Sequence, residues 1–532
     1  MPQPSAGITY SLTYIRFYFP ITVFSVAMLN KHIIIALVAG YYSIFASARP
    51  AAWRGHSKHP AAPTTRSVPI STSLSSSTHI ASSVWSSTLL PSSVATLVVV
   101  ETPTVVVNAV GPATYTANPS IGGGGSSFKD SAHFRVYDAS TDAIAGTTLQ
   151  HLEAAHSCYV EQLGWRTPAL SWTSDTDDAW YKTNVYSKQE SDLPGAAGVQ
   201  GADPVAGLAW LEVVDSYLTD PSVTVHEYGH ALSVAEKNWI DQGRYVFISS
   251  NSSITSTKPA ETTYADHNRT GAWWEPIANY IADTYISTPT CASAKSAQGL
   301  SASEGASIIY LDTVIGDSYK VIVDGTSGTG NYYESWPFIA YLNNNPDNYE
   351  GLGNDTLLNM FRKYTIDSND TPLHALSNLL TGTNETVQKV VGRYWAHMAY
   401  VDIGHPKAHE AFVAQQRSLN YDNLDASGAV KSGRAPRYMG ANIIPLTVTG
   451  TTVSVAITTD GEYTATLVVN SGDKISYTDV VGGKGTVSVA SGDEVSLVVA
   501  NTPALVQYDA FDIPAALNEG LQYSVQITGA SI

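Results

Sequence analysis

Apolar residues recur along this chain with two different periods, and the period changes near residue 440. Between residues 128 and 440 most apolar stretches repeat at the spacing of one helix face, while residues 133–137 and 181–186 alternate as strands do. The helical stretches cover residues 149–163, 336–342, 356–364 and 386–400. The pattern predicts a domain of helices with a small sheet over residues 128–440.

Residues 441–532 lose the helical period and show short alternating runs rich in valine, threonine and isoleucine. Turn signals such as Asp460-Gly461 separate the runs. The runs cover residues 445–448, 452–458, 463–469, 486–489, 494–499 and 522–528. Short strands at this spacing predict an all-β sandwich of immunoglobulin-like size. The expected fold class of the whole chain is therefore α+β.

The first 127 residues are organised differently, and whether two valine runs within residues 97–110 form a small strand pair or a processing region stays open. Residues 49–127 are dominated by serine, threonine, proline and alanine, and a glycine run at residues 122–125 ends them. A segment of this composition cannot bury a core and suits an O-glycosylated stalk. We therefore predict a linker over residues 49–127 with a flexible end.

Residues 28–48 have the parts of a secretory signal peptide. Lys31 gives the positive start, residues 33–45 give the apolar run, and small residues follow at the cleavage point. Met28 is then the expected start of the protein, which makes residues 1–27 a gene-model extension. An uncleaved membrane anchor is the alternative, and N-terminal sequencing of the mature chain distinguishes the two.

The strongest chemical signal is the pentapeptide His226-Glu227-Tyr228-Gly229-His230. Residues four apart lie on one face of a helix, so both imidazoles can reach the same metal ion. Glu227 lies beside that ion, where it can take a proton from water. The flanking residues are apolar and include no proline, which indicates a buried helix. Gly229 costs such a helix about 1 kcal/mol relative to alanine, so another interaction must hold it.

A catalytic zinc usually has three protein ligands, and the third must come from outside the motif. Glu236 would point about 240° around the helix from His230, so it is a poor ligand and is expected to be a solvated charge. Glu275 is the better candidate, because it lies on an apolar helix and a buried carboxylate needs a partner. It could instead be an ordinary carboxylate at a helix N-terminus. Pro276 fits this helix only if Glu275 lies in the first turn.

Two polar residues follow Glu275 on the same expected helix face, Asn279 one turn later and Asp283 two turns later. Both are candidates to hydrogen-bond a ligand histidine from behind and fix its orientation. Four further candidate ligands lie in loop-like sequence between the two segments, where surface groups are the simpler interpretation. They are Asp241, Glu261, Asp266 and His267.

The sequences VHEYGHAL and WWEPIANYIADTY, which contain these residues, resemble the paired zinc segments of the gluzincin metallopeptidases. A closer resemblance is to a largely uncharacterised family of secreted fungal and bacterial proteins with a gluzincin-like core. It covers residues 128–532 and includes SAHFRV, YESWPFIAYLNNN and YMGANIIP. The resemblance implies a zincin-like catalytic domain with zinc on the motif histidines and Glu275. The chain departs from the best-known gluzincins at Pro276 and at Asn279, where they carry aspartate.

Charge and composition exclude several classes of function. The net charge is −18, and nucleic-acid binding requires clustered lysine and arginine, so neither nucleic acid nor a polybasic membrane contact is expected. No glycine pattern of a P-loop or Rossmann fold opens a helix, which argues against nucleotide chemistry. Hydrophobic residues make up 44% of the chain and charged residues only 14%, so the core is sizeable and uncharged polar groups must supply solubility.

Secretion agrees with the sugar acceptors and with the use of cysteine. The chain has two cysteines, Cys158 and Cys291. In an oxidising compartment they can pair, and two free buried thiols are the alternative. The sequence leaves both open. Acceptor sequences for N-linked sugars occur at Asn251, Asn268, Asn354, Asn369 and Asn384.

These signals predict a secreted zinc metallopeptidase, extracellular or associated with a cell wall, that acts on a peptide or protein. Zn²⁺ is the expected cofactor, and no membrane contact is expected after the signal peptide is cleaved. Glu227 is the expected general base for zinc-activated water. The tetrahedral oxyanion needs a further hydrogen-bond donor, and the choice stays open. The candidates are Tyr332, Tyr333, His267 and His397.

Two other classes of function stay open. In the first, the zinc is structural or inactive, and the β-sandwich binds glycans or a cell wall. In the second, Glu227 and Glu275 are the carboxylate pair of a glycan hydrolase, about 5 or 6.5–9.5 Å apart, and Trp273 and Trp274 stack on sugar. The second leaves the spacing of the two histidines unexplained and ranks last.

Overall fold

A computed structural model of the chain describes residues 111–532, except residues 175, 177, 238, 240–268, 330, 366–367 and 473. All described residues belong to one compact unit. The expected gene-model extension, signal peptide and most of the linker lie outside the described residues, as do the acceptor sites Asn251 and Asn268.

The first part of the described chain builds a five-stranded mixed sheet with the strand order β1-β2-β3-β5-β4. Strands β2, β3 and β5 run parallel, while β1 and β4 pair antiparallel at the two edges. A parallel pair needs a crossover, and helix α1 (Asp142–His156) lies in the connection between β2 and β3. The strands are β1 (Phe128–Asp130), β2 (Phe134–Tyr137), β3 (Thr183–Lys188), β4 (Gly198–Asp203) and β5 (Leu208–Val214).

The sequence pattern located β2, β3 and the end of the first helix correctly. Helix α1 starts seven residues before the predicted position, because the side chain of Thr141 caps it by accepting from the backbone N–H of Ile144. A π-helical turn, Ser157–Gln162, continues it. The pattern missed β4 and β5, since glycines in β4 and the turn between the two strands interrupt the alternation.

The segment that contains the glycine run packs on the face of this sheet that carries Asn184 and Tyr186. The Nδ2 of Asn184 donates to the carbonyls of Asn118 and Ile121, each at 2.8 Å. A Cβ on Gly122 would lie 2.5 Å from the ring of Tyr186, so only glycine fits there. The glycine run therefore holds a close contact, which differs from the flexible end that composition predicted.

Two buried helices follow the sheet, α2 (Pro221–Ala235) and α3 (Trp274–Ser287). Asp220 caps α2 by accepting from the N–H of Ser222, and a proline occupies the first position of the helix. Glu275 lies in the first turn of α3, where Pro276 removes no intrahelical hydrogen bond. Pro276 therefore fits this helix, as expected if Glu275 lies in the first turn.

Helices α2 and α3 pack closely because α2 carries a glycine at the contact. A Cβ on Gly229 would lie 3.1 Å from the Cα of Ala278 and 3.3 Å from the side chain of Ile281. The propensity cost of Gly229 is therefore offset by a short distance between the two helices.

Shorter helices complete the helical part, and three of them lie within two residues of the predicted stretches at 336–342, 356–364 and 386–400. Cys158 and Cys291 form a disulfide with a Cα–Cα distance of 5.2 Å, which joins the π-helical turn to the segment after α3. The helices are α4 (Ala292–Ala297), α5 (Leu311–Val314), α6 (Trp336–Asn344), α7 (Thr356–Arg362), α8 (Pro372–Leu379), α9 (Val387–Met398), α10 (Pro406–Gln415) and α11 (Ala515–Asn518).

The C-terminal part consists of two antiparallel sheets, with the orders β13-β6-β11-β8-β9 and β10-β7-β12. A second apolar core that includes Val453, Leu467 and Leu497 lies among their strands. The α+β class is confirmed. The strands are β6 (Ala441–Val448), β7 (Thr452–Thr458), β8 (Tyr463–Asn470), β9 (Ile475–Asp479), β10 (Lys484–Ser488), β11 (Glu494–Asn501), β12 (Ser524–Thr528) and β13 (Ala530–Ser531).

The five-stranded C-terminal sheet also packs against helix α9. A Cβ on Gly392 of α9 would lie 2.0 Å from the hydroxyl oxygen of Thr464, so helix and sheet are in close contact. Ile443, Val468 and Val498 of the sheet belong to the main core together with the helices. None of the described helices has the combination of length and apolar composition that a membrane span requires.

Candidate metal centre

Helices α2 and α3 bring the three predicted ligands together. The Nε2 atoms of His226 and His230 are 3.1 Å apart. The Oε2 of Glu275 lies 3.2 Å from the first and 3.5 Å from the second. The triangle arises because the histidines are one turn apart on α2, while the first turn of α3 presents the carboxylate to the same point.

All three groups are buried, with both histidines at 0% exposure and Glu275 at 4%. Their ligand atoms lie within 4.8 Å of one another, so the group could hold a metal ion. At these separations two imidazole lone pairs and a carboxylate oxygen repel one another, and either a proton or a metal cation between them relieves the repulsion. The donor set therefore fits a buried cation.

Asn279 fixes which nitrogen of His226 faces the other ligands. Its Nδ2 donates to the carbonyl of Tyr333 at 2.8 Å, which turns its Oδ1 toward the Nδ1 of His226 at 2.8 Å. The Nδ1 of His226 therefore carries a hydrogen, and its Nε2 offers a lone pair. This is the contact that the sequence predicted for Asn279.

Burial and the charges of the three groups shift their pKa values. Burial alone would raise the pKa of Glu275, but His230 and His226 outweigh burial and lower that pKa to about 2. Burial lowers the pKa of His230. At His226 burial acts in the same direction, yet the hydrogen bond with Glu275 and the charges of Glu227 and Glu275 together outweigh it and raise the pKa. Glu275 is thus ionised at neutral pH and offers a full negative charge to a cation.

Glu227 is fully buried on the same helix, between the two histidines. Its charge reaches both His226 and Tyr333, whose pKa values it raises. Tyr332 and Tyr333 lie side by side, with ring centroids 4.5 Å apart. Burial, followed by the charge of Glu275, raises the pKa of Tyr332 to about 12 and that of Tyr333 further. Both phenols therefore keep their protons at neutral pH and can donate hydrogen bonds.

A comparison with known protein families finds one match. Residues 137–532 match the family described as "Family of unknown function (DUF6055)". The chain belongs to this DUF6055 family. The matched residues include the candidate metal centre and the whole C-terminal β part. No curated protein matches the chain.

In this DUF6055 chain Asp283 does not contact the ligand histidines, which corrects the expectation from sequence. Its Oδ2 accepts from the Nε2 of His405 at 2.6 Å and from the hydroxyl of Ser287 at 2.7 Å. Its Oδ1 accepts from Ser307 and from the N–H of Ile308. Asp283 is two turns, or about 12 Å, along the helix from Glu275, which places it beyond the centre.

The rival ligand Glu236 also lies away from the centre, as the helix geometry predicted. It is buried, however, and it accepts from Arg362 at 3.0 Å and from the N–H of Arg166 at 2.7 Å. The expectation of a solvated charge was wrong, because Arg362 of α7 and the backbone of Arg166 pair with this carboxylate. The other rivals, Asp241, Glu261, Asp266 and His267, lie outside the described residues.

His397, one candidate oxyanion donor, has other partners. Its Nε2 contacts Asp347 at 2.9 Å, and its Nδ1 contacts the hydroxyl of Tyr477 at 2.9 Å. The contact with Tyr477 ties α9 to β9. Trp273 and Trp274 are both 2% exposed, so neither presents a face on which a sugar could stack.

Sequence reasoning missed the edge strand β4, which lies against Glu227. A Cβ on Gly198 would lie 2.9 Å from the Cγ and from the Oε1 of Glu227. The only local signal is a glycine where the alternation of a strand would otherwise continue, and such a glycine often marks the close approach of another group.

Proposed function

We propose that this DUF6055 chain is a secreted zinc-dependent metallopeptidase of the gluzincin type. The observation that carries the proposal is the convergence of His226, His230 and Glu275 on one point, with Glu227 buried on the same helix. Its substrate would be a peptide or a protein.

The donor set suits zinc better than calcium or magnesium, because imidazole nitrogen is a zinc ligand and the other two ions prefer oxygen. A tetrahedral zinc with bonds of about 2.0–2.1 Å holds its ligand atoms about 3.3–3.4 Å apart. The three separations of 3.1, 3.2 and 3.5 Å bracket that value. Three protein ligands are typical of catalytic zinc, whose fourth position serves water or substrate.

When bound, zinc supplies Lewis-acid chemistry, which lowers the pKa of water to about 7 and polarises a carbonyl. Glu227 would take a proton from the attacking water and pass it to the leaving amine as the peptide C–N bond breaks. The buried position of Glu227 keeps its carboxylate from solvent, so its proton transfer is directed to the reacting groups.

The negative oxygen of the tetrahedral intermediate requires a hydrogen-bond donor from the protein. Tyr332 and Tyr333 are the candidates that the described residues support, because both feel the charge of Glu275 and stay protonated. Asn279 connects the metal ligands with the candidate hydrogen-bond donors, since it contacts His226 and also the carbonyl of Tyr333.

Secretion is supported by the disulfide, because disulfides persist in oxidising compartments. The signal-peptide pattern of residues 28–48 and the sugar acceptor sites agree with it. The same features fit an extracellular or cell-wall-associated glycoprotein.

The deciding experiment uses the Glu227→Gln variant. We expect it to bind one zinc like the wild type, because the ligands are unchanged, and to lose at least about 10²-fold in hydrolysis of a broad peptide library. Zinc is measured by elemental analysis, and cleavage by mass spectrometry before and after chelation. Glu190→Gln, at an exposed glutamate, is the matched control and should keep full activity.

Full activity of Glu227→Gln would refute the role of Glu227 as the base. Zinc bound by the wild type without any peptide cleavage would favour the alternative, a non-catalytic protein whose β-sandwich contacts glycans or a cell wall. Sugar release that is insensitive to a chelator would favour the glycan hydrolase.

A further inference from the structure

Strand β4 lies directly beside Glu227, the proposed general base. It is an edge strand, paired with β5 alone among the described strands, and Gly198 is its first residue. Opposite Gly198 in the register lies Val213 of β5. Glu227 of α2 lies against the main chain of this strand, since a Cβ on Gly198 would be 2.9 Å from two of its side-chain atoms.

The backbone conformation of Gly198 does not require glycine. Gly198 is not among the glycines with positive φ, in contrast to Gly195 and Gly207 near the two ends of the strand. The reason for glycine is therefore space. The added Cβ would also lie 3.2 Å from the carbonyl oxygen of Glu212, which is tight, but the contact with Glu227 is closer.

We propose that Gly198 is a positioning residue for Glu227. Because residue 198 has no side chain, the main chain of β4 approaches the Glu227 side chain and limits the conformations in which its carboxylate can lie. The metal ligands are constrained separately, His226 through Asn279 and Glu275 through α3. The role of Gly198 rests on the proposed function, whereas its contact with Glu227 does not.

The contact is tested through stability, without reference to activity. Gly198→Ala is made in the wild type and in Glu227→Ala, and unfolding by denaturant is followed for all four proteins. We expect a clear fall in the unfolding midpoint in the wild type and a much smaller fall in Glu227→Ala, because the side chain that clashes is then gone. The contact of the new Cβ with the carbonyl oxygen of Glu212 is the same in both backgrounds, so its effect on stability cancels when the two falls are compared.

An equal loss in both backgrounds would overturn the proposal, since the added methyl would then act through the sheet alone. If Gly198→Ala does not fold, recovery of folding in the double variant supports the proposal, and failure of both variants contradicts it. Gly146→Ala on α1, where the nearest atom to a new Cβ is the Lys129 Nζ at 3.5 Å, is the control and should not couple to residue 227.

The positioning role is tested through kinetics. We expect Gly198→Ala to keep its zinc and to lose about 10- to 100-fold in kcat with little change in KM, because a displacement of about 1 Å costs a catalytic group this much. Its pH–rate profile should also shift, since the carboxylate leaves its environment. Unchanged kcat and pH profile would overturn the role. Absence of peptidase activity in the wild type would instead refute the proposed function and leave the stability result standing.

Discussion

At the scale of single residues, Asn279 orients the ring of His226. Its amide orientation is fixed from behind, because its Nδ2 donates to the carbonyl of Tyr333. Its Oδ1 can therefore only accept, and the Nδ1 of His226 must donate to it. A neutral amide is thus sufficient to select the tautomer of His226 that offers Nε2 to a metal ion.

We expect Asn279→Ala to weaken zinc binding by about 10- to 100-fold, because the ring of His226 loses the acceptor that orients it. Competition with a chromogenic chelator measures the zinc Kd. Asn359→Ala, at a half-buried asparagine of α7, is the control and should bind zinc like the wild type. Equal affinity of the two variants would show that Asn279 does not orient the ligand.

At the scale of elements, the site depends on how closely α2 and α3 approach each other. Gly229 permits that approach, since a Cβ at its position would be tight against Ala278 at 3.1 Å and Ile281 at 3.3 Å. The two helices carry the motif histidines and Glu275, so their spacing sets the distances between the ligand atoms.

Gly229→Ala is predicted to destabilise the protein, although alanine is the better helix former by about 1 kcal/mol. Overpacking at a helix contact costs about 1–3 kcal/mol and should outweigh the gain. Zinc affinity should fall with it, because the helices separate. Unfolding by denaturant and zinc titration provide the two measurements. Gly146→Ala, where a Cβ has space, should be neutral or stabilising, and a similar loss there would contradict the packing argument.

Regular elements were predictable where their period is unbroken. Helices α6, α7 and α9 and most C-terminal strands lie close to the predicted stretches, because one face of each is apolar. Strands β4 and β5 were not predicted, since β4 contains two glycines and a tight turn joins the pair. Gly198 allows β4 to approach Glu227, but a glycine also interrupts the alternating pattern from which a strand is predicted. This is why the sequence analysis missed this part of the site.

At the scale of the whole molecule, a metal ion would link α2 to α3 in the middle of the main core. Without it, two histidines and an ionised Glu275 are buried out of water, and their desolvation costs free energy. Metal binding should therefore contribute to global stability as well as to chemistry.

Removal of zinc by a chelator should lower the unfolding temperature, and added zinc should restore it. Free zinc at about 100 times its Kd adds about 2.7 kcal/mol to the free energy of unfolding. Thermal unfolding followed by circular dichroism measures the shift. Glu275→Gln is the control, and its unfolding temperature should respond less to chelator or zinc. The same response in both proteins would place the metal elsewhere.

The folded surface also decides which sugar acceptors are free. Asn354 and Asn384 are exposed. The side chain of Asn369 accepts from Arg269 at 2.7 Å and donates through its Nδ2 to Gln507 at 3.1 Å. A glycan replaces a hydrogen of that Nδ2, so it would compete with the second contact.

If the chain is secreted as proposed, we expect glycans at Asn354 and Asn384 and an unmodified Asn369. Enzymatic deglycosylation in heavy-oxygen water, followed by peptide mass spectrometry, measures the occupancy of each site. Asn384→Gln should remove one glycan and leave Asn354 modified. Equal occupancy at Asn369 would contradict the importance of its contacts.

The sequence by itself determined the local features of the site. The spacing of His226 and His230 fixes both on one face of α2, and the position of Pro276 requires Glu275 to lie in a first turn, because these relations follow from helix geometry alone. Only the tertiary structure decided that Glu275 meets the histidines, that Asn279 rather than Asp283 supports them, and that β4 approaches Glu227. Those contacts join residues far apart in the chain, and their distances depend on how the helices and the sheet pack, which no local period encodes.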